Sequence, residues 1–303
     1  KRGARVTLLE RGDIGHGASF GNAGAIAPGH GPMNRPGRVK QALRSLFNPL
    51  SPLYVAPRLD PALARWLLDF ARYCTAAHAE AGLRTLAPLG HATIGLYEQL
   101  VEEVYGVVAR EARVRGSNYV YAPVLDLARD PRWGRVEETF GEDPYLASRL
   151  GVAAVRGLQG RGPVIDEEHV IACAKHYAVH SGPEKDRHHF DALVSPRELH
   201  DTYLPAFKKL VTEGHVEAVM GAYNRVNGEP ACASPTLLQK ILRREWGFGG
   251  PDGLEGYVVS DCWAIIDIYA HHRVVATPEE AAALAVQNGC ELNCGSTYPA
   301  LVE

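Results

Sequence analysis

From about residue 118 to the end, short apolar runs alternate with longer amphipathic stretches. Residues 120–126, 169–174, 216–223, 257–261 and 289–294 have the Val, Ala, Ile and Tyr content of buried strands. Between them, residues 145–158, 196–213, 236–246 and 278–288 read as helices, with a short helical piece at 264–269. Leu199, Tyr203, Leu204, Phe207 and Leu210 form one apolar stripe in the second of these. Start signals agree: Pro144 falls at a first helical turn, Ser195-Pro196 with Glu198 reads as a capping box, and Pro278 follows Thr277. A strand–helix alternation with polar residues at the strand ends predicts an α/β fold of the parallel, barrel-like kind. Five strands fall short of the eight that close such a barrel, so the expectation is an incomplete (β/α) barrel.

The first hundred residues have a different pattern. Residues 5–10 read as a short strand ending in an acid, 11–13 as a turn and 15–26 as a Gly-rich loop. Leu43, Leu46 and Phe47 share a helical face that Pro49 and Pro52 end. Helices are expected over 61–80, with Leu63, Trp66, Leu67 and Phe70 on one side, and over 89–103, continuing to 113 without a turn. Trp66 and Tyr73 are expected as a core stripe that, without a parental sheet, needs a new partner or stays exposed. The change of character falls near residue 104 and is followed by charge: residues 1–103 carry net +4, residues 104–303 net −7.

Overall net charge is −3 with no basic tract, which gives no general basis for nucleic-acid binding. No apolar run of 18 residues exists, so no membrane-spanning helix is expected. Lys1 is not an initiator residue; the natural N-terminus, with any export signal, is expected to be missing, and localisation stays unassigned. Six cysteines are too sparse for a disulfide-built small domain. Cys290 and Cys294 have no second close pair beside them, so zinc is not expected there, and pairing among Cys232, Cys262 and Cys294 stays open. His188 and His189 lack a third ligand at convincing spacing, and no metal is expected.

Chemistry gathers at the strand ends. Asp261 follows Val258-Val259-Ser260 and precedes Cys262 and Trp263. Upstream ends carry Arg132-Trp133-Gly134-Arg135, Lys175-His176-Tyr177 and Met220-Gly221-Ala222-Tyr223. A carboxylate facing guanidinium, ammonium, imidazole and aromatic groups suits a sugar, whose hydroxyls take paired hydrogen bonds.

Three motifs sharpen this: Asp-Pro-Arg-Trp-Gly-Arg…Glu-Thr-Phe-Gly-Glu-Asp-Pro (130–144), Lys-His-Tyr-Ala-Val-His-Ser-Gly-Pro-Glu (175–184) and Val-Val-Ser-Asp-Cys (258–262). In this order they resemble glycoside hydrolase family 3, the β-glucosidases and β-xylosidases, over about residues 104–303. The resemblance implies that Asp261 is the nucleophile of a retaining β-glycosidase acting on terminal β-D-glycosyl residues. It implies that Arg135, Lys175 and His176 hold sugar hydroxyls, that Met220 and Tyr223 line the same subsite, and that Trp263 lies beside it. Many members have Trp directly after the nucleophile; Cys262 there resembles the xylosidase-like branch and some β-glucosidases, leaving glucose against xylose open. The family's acid usually comes from a following domain, and Glu137, Glu138, Glu142 and Glu184 match no acid position. The early barrel strand that usually supplies an Asp is also replaced. An activity impaired by truncation is therefore expected, on a β-linked glucoside, xyloside or oligosaccharide, with no cofactor.

Residues 1–103 resemble D-amino acid dehydrogenases of the FAD-dependent D-amino acid oxidase superfamily, through the acid at Glu10, the loop with Ser19 and Asn22, and the stretch 66–74. That resemblance implies FAD only in an alternative reading, because the pyrophosphate-binding turn and the distal half are absent from this sequence. Glu10, Ser19 and Asn22 are then vestigial. A non-catalytic carbohydrate-binding remnant is the third reading of a chimeric or truncated chain.

Overall fold

The computed structural model describes residues 34–45, 48, 50, 58–162, 164–249 and 256–302. The expected strand at 5–10, the loop at 15–26 and the residues Glu10, Ser19 and Asn22 lie outside them. Backbone packing divides the chain into two compact units, Lys1–Thr93 and Ile94–Glu303.

The first unit is helical where described: α1 is Arg38–Ser45, α2 is Pro61–Tyr73 and α3, Ala76–Val114, begins here. Asp60 caps α2, its side chain accepting from the backbone N–H of Ala62 and Leu63, and Pro61 takes the first turn, where no N–H is needed. The helix expected over 61–80 stops at Tyr73. Thr75 is the reason: its hydroxyl accepts from the His78 N–H at 3.2 Å and starts α3. α3 then runs 39 residues through Pro88 without the break expected before residue 89. One missing N–H and a local clash are tolerated in a helix of that length. No residue of α2 is buried; Trp66 is 57% and Tyr73 54% exposed, with Trp66 stacked on Phe70 at 5.4 Å. The aromatic stripe is therefore not core.

In the second unit α4 is Pro144–Gln159, β1 Cys173–Tyr177, β2 Asp191–Ala192, α5 Pro196–Glu198, α6 Pro205–Thr212, β3 Ala218–Gly221, β4 Arg225–Val226, β5 Glu229–Pro230, β6 Tyr257–Ser260, α7 Ala264–Ala270 and α8 Pro278–Gln287. β1, β3 and β6 form a parallel sheet in that order. Parallel bridges extend it at both sides: Tyr119 to Ile171 and Val124 to Lys175 before β1, and Val259 to Leu292 after β6. The five expected strand positions are present and in chain order, but the first and last pair only through single bridges. This is an open parallel arc covered by helices, part of a (β/α) barrel. β2, β4 and β5 make a separate small sheet above its end.

Helix starts follow the polar-residue–proline signal. Asp143 accepts from the Leu146 N–H at 2.8 Å ahead of Pro144, and Ser234 accepts from Leu237 at 2.9 Å ahead of Pro235. Thr277 and Glu280 complete a reciprocal capping box. Ser195 accepts from the Glu198 N–H at 3.1 Å, the first half of such a box. The helix expected over 196–213 is α5 and α6 joined by a π-helical turn, Leu199–Tyr203, and the one over 236–246 is π-helical, Pro235–Glu245.

Strand alternation sorts the core into two layers. Ala174, Val219 and Val258 face the helices, packed with Leu158, Phe207, Leu210 and Ile268. Cys173, Ala218, Met220 and Val259 face the inside of the arc with Tyr119, Ile171 and Tyr257 against them. Phe207 is 2% exposed and meets Tyr177 edge-on at 5.2 Å; truncating such a ring to Ala costs about 3–5 kcal/mol. That outer layer holds the strand ends in place.

Candidate active site

Three strand ends and one loop converge. Asp261 directly follows β6, its backbone N–H donating to the Gly221 carbonyl at 3.0 Å, so the β3–β6 ladder fixes its height. Its Oδ1 accepts from the Cys262 N–H at 2.7 Å. Its Oδ2 is buried with no hydrogen-bond partner and faces Nε2 of His176 at 3.4 Å. A disulfide joins Cys262 to Cys294, and the Trp263 N–H donates to the Cys294 carbonyl at 2.7 Å. Of the pairings left open above, this is the one that forms. Trp263 stands in the left-handed region, φ 70°, and is 54% exposed.

His176 sits in β1, where the register shifts between Ala174 and Tyr177. It is 1% exposed. Oδ2 of Asp126 accepts from its backbone N–H at 3.0 Å and lies 2.7 Å from Nδ1. Arg135 Nη1 lies 3.0 Å from Nε2. A guanidinium can only donate, so Nε2 accepts, the ring proton sits on Nδ1 and points at Asp126. The imidazole is neutral: burial pushes His176 down to about 3. Burial also pushes Asp126 up to about 6 against the pull of the surrounding cationic groups.

Arg135 spends one edge of its guanidinium on Glu138, with Nε to Oε1 and Nη2 to Oε2 both at 2.8 Å. That pair raises Arg135 and lowers Glu138. Three of its five N–H groups are thus committed within the protein, leaving two for a ligand. Lys175, next to His176, is lowered by burial and by Arg135, while Asp261 works the other way. The loop carrying Arg135 is fixed through Gly134, whose N–H donates to Glu184 Oε2 at 3.1 Å; a Cβ there would come within 2.8 Å of that carboxyl. Tyr223, half-buried, is raised by burial and by the Asp261 charge. Met220 lies fully inside the arc one residue before the end of β3.

The structure thus brings Arg135, Lys175, His176, Tyr223 and Asp261 together, with Met220 in the layer beneath and Trp263 two residues past Asp261. Glu138 and Glu184 are occupied by Arg135 and by Gly134 with Arg187. The sequence reading passed over Asp126, His180 and Asn224. His180 is 1% exposed, its ring 4.8 Å from that of His176, and its Nδ1 lies 3.3 Å from Asn224 Oδ1. Its Nε2 and Trp133 Nε1 are buried without partners. Asp126 carried one usable signal, an acid ending the first expected strand; His180 had only its place inside the second motif. A hollow of about 700 Å³ lies elsewhere, lined by Glu102, Arg110, Arg156 and Arg161.

Comparison with known proteins gives two family matches: residues 83–300 match the family described as glycosyl hydrolase family 3 N terminal domain, and residues 1–161 match FAD dependent oxidoreductase. The chain is 44% identical over 201 residues to a xylan 1,4-beta-xylosidase of Xylanibacter ruminicola, covering 66% of this chain and 22% of that protein. It is 42% identical over 207 residues to a beta-xylosidase/alpha-L-arabinofuranosidase of Medicago sativa, covering 65% and 26%. Among solved structures, a GH3 exo-beta-xylosidase bound to a xylobiose aziridine probe aligns with TM-score 0.62 at 31% identity, covering 68% of this chain and 27% of that one. A beta-glucosidase from Listeria innocua aligns with TM-score 0.62 at 35% identity, covering 68% and 28%. The chain spans about a quarter of the length of these relatives.

Proposed function

We propose, from the premise that this chain belongs to the glycosyl hydrolase family 3 N terminal domain family over residues 83–300 and to the FAD dependent oxidoreductase family over 1–161, that it is the nucleophile-bearing part of a retaining β-glycosidase. The observation that carries this reading is Asp261 Oδ2, a buried carboxylate oxygen without a hydrogen bond, facing His176 with Arg135 behind it. A glycosyl-transfer nucleophile needs an unshared oxygen beneath the anomeric carbon, and leaving one buried costs about 1–3 kcal/mol that a positively charged transition state would offset.

In this mechanism Asp261 attacks the anomeric carbon, the glycosidic C–O bond breaks, and an ester to Asp261 forms with inversion. Water then attacks the ester from the opposite face and restores the configuration. The two free N–H groups of Arg135 and the Lys175 ammonium bind ring hydroxyls, and Tyr223 closes the side next to the nucleophile. The leaving oxygen still needs a proton, worth roughly 10²–10⁴-fold, and neither Glu138 nor Glu184 is free to give it. Xylosides are put ahead of glucosides because the relatives above at 40% identity or more are named xylosidases.

The flavoprotein-like part is assigned to residues 1–103 and the glycosidase part to 104–303, supported by the division into units at Thr93. The residues that would meet a flavin lie outside the described ones, and the reaction above uses none.

The test is covalent labelling. A 2-deoxy-2-fluoro-β-D-xylosyl donor with a dinitrophenolate leaving group should add one fluoroxylosyl unit, mapped by peptide mass spectrometry to Asp261. The glucosyl analogue should label more slowly, and Asp261→Asn should take up none. Labelling elsewhere, or none in the wild-type chain, sinks the reading.

A further inference from the structure

A second group of ligating side chains stands beside the sugar site and takes no part in the chemistry above. Asp267 on α7 and His271, four residues on, share one side of the helix, and His188 reaches them from the loop between β1 and β2. Nδ1 of His271 lies 2.6 Å from Asp267 Oδ1, and Nδ1 of His188 lies 2.9 Å from Asp267 Oδ2. One ligand atom from each of the three lies within 4.8 Å of the others. The carboxylate side chain is 3% exposed, whereas the rings of His188 and His271 are 41% and 36% exposed, so the anion is buried and its approach is open. Neighbouring arginines are engaged elsewhere: Arg187 pairs with Glu184, and Arg225 Nη2 donates to the His189 carbonyl. Two more imidazoles crowd the spot. The His189 ring is 4.5 Å from that of His271, and His272, 7% exposed, has neither ring nitrogen hydrogen-bonded.

We propose that His188, Asp267 and His271 form a binding site for a divalent transition-metal ion of the zinc type. Two neutral imidazoles and one carboxylate are a donor set that such ions take, with a fourth position left to solvent. Helical spacing of four residues gives the Asp267–His271 pair a chelating reach, and the loop supplies the third arm. On binding, each Nδ1 presents its lone pair to the ion, and a proton held there passes to Nε2 or to solvent. Metal–nitrogen bonds of about 2.0–2.1 Å in a tetrahedron set neighbouring ligand atoms about 3.3 Å apart. The two imidazole–carboxylate contacts, at 2.6 and 2.9 Å, therefore open toward that spacing while the three ligand atoms, now within 4.8 Å of one another, gather around the ion, a movement of a loop side chain and a residue at a helix end. The ring of His188 also lies edge-on to Tyr223 at 4.5 Å, so occupancy bears on the wall beside Asp261.

The site is tested on the full chain without an affinity tag, titrated with Co²⁺ and followed by visible d–d absorption. The wild-type protein should take up one equivalent with the intense bands of low-coordinate Co²⁺, lose them when Zn²⁺ is added, and unfold at a higher temperature with Zn²⁺. His271→Ala and His188→Gln should each weaken binding about tenfold or more, while His200→Ala, on an exposed ring, should leave it unchanged. A wild-type chain with neither bands nor a zinc-dependent rise overturns the proposal, as does His271→Ala binding as tightly as wild type. If His271→Ala fails to fold by circular dichroism, His188→Gln decides by the same measure.

Discussion

Nε2 of His176 and Oδ2 of Asp261 face each other at 3.4 Å, yet no hydrogen bond joins them. The proton that could join them is on the far side of the ring, held by Asp126. Two acceptors therefore look at one another, and the Arg135 guanidinium is what makes that tolerable. The arrangement keeps the nucleophilic oxygen bare, and it depends on a residue that touches no sugar.

Asp126→Ala should show this dependence. The His176 backbone N–H and Nδ1–H both lose their acceptor inside the protein, at about 1–3 kcal/mol each. We expect the urea midpoint to fall accordingly. Fluoroxylosyl labelling should slow well beyond the loss of folded protein, because the ring can then turn its proton toward Asp261. Unchanged labelling per folded molecule would remove the positioning role.

Arg135→Lys keeps the charge and loses the fork. Lysine cannot satisfy Glu138, His176 and a ligand together, so labelling should slow by about tenfold or more, with Arg135→Ala slower still. Isothermal titration with xylose, run alongside, should show weaker binding in both. A lysine variant that labels at the wild-type rate would remove Arg135 from the sugar contacts.

Acidification should destabilise the fold. Burial pushes His176 and His180 to about 3 and His272 to about 4, below the ordinary value of roughly 6.5. These rings are neutral when folded and take up protons on unfolding, so their contribution is intact above pH 6.5 and is lost as pH falls below it. Asp126, held up at about 6, acts in the opposite sense: its contribution is present below the usual carboxylate value and lost as pH rises through 6. Three groups outweigh one. The urea midpoint at pH 5 should lie below that at pH 7, and His180→Gln should narrow the gap.

The cystine beside the nucleophile closes a loop of 32 residues. Loop-closure entropy for that length gives about 3–4 kcal/mol. Cys262→Ser should lower the unfolding midpoint, and a reducing agent should do the same to wild type but not to the variant. Labelling of Asp261 should also slow, because Trp263 loses its tie to the last strand position.

Much of this was written in the chain. Asp143 with Pro144 and Thr277 with Glu280 announce helix starts by hydrogen bonds that span three residues, and local signals of that kind survive into the fold. The positions of Lys175, His176 and Asp261 near the C-terminal ends of their strands were legible, and strand ends are where such a sheet exposes chemistry. Asp126 was not, since an acid after a strand is common and its meaning lies in an imidazole 50 residues away. The cluster at Asp267 was hidden for the same reason, with His188 79 residues from its partner. Trp66 misled in the other direction: helical periodicity tells which residues share a face, and burial needs something to face.

The order of the parallel arc has a consequence for synthesis. Each station pairs with the one made just before it, so a ribosome delivers the parts of the site in sequence: Asp126, then Lys175 and His176, then Tyr223, and Asp261 after them. Arg135, Lys175, His176 and Tyr223 are all made while the nucleophile is still in the exit tunnel or just leaving it. When Asp261 emerges, it meets Arg135, Lys175 and the neutral His176 already made, and its backbone N–H ties its strand to Gly221.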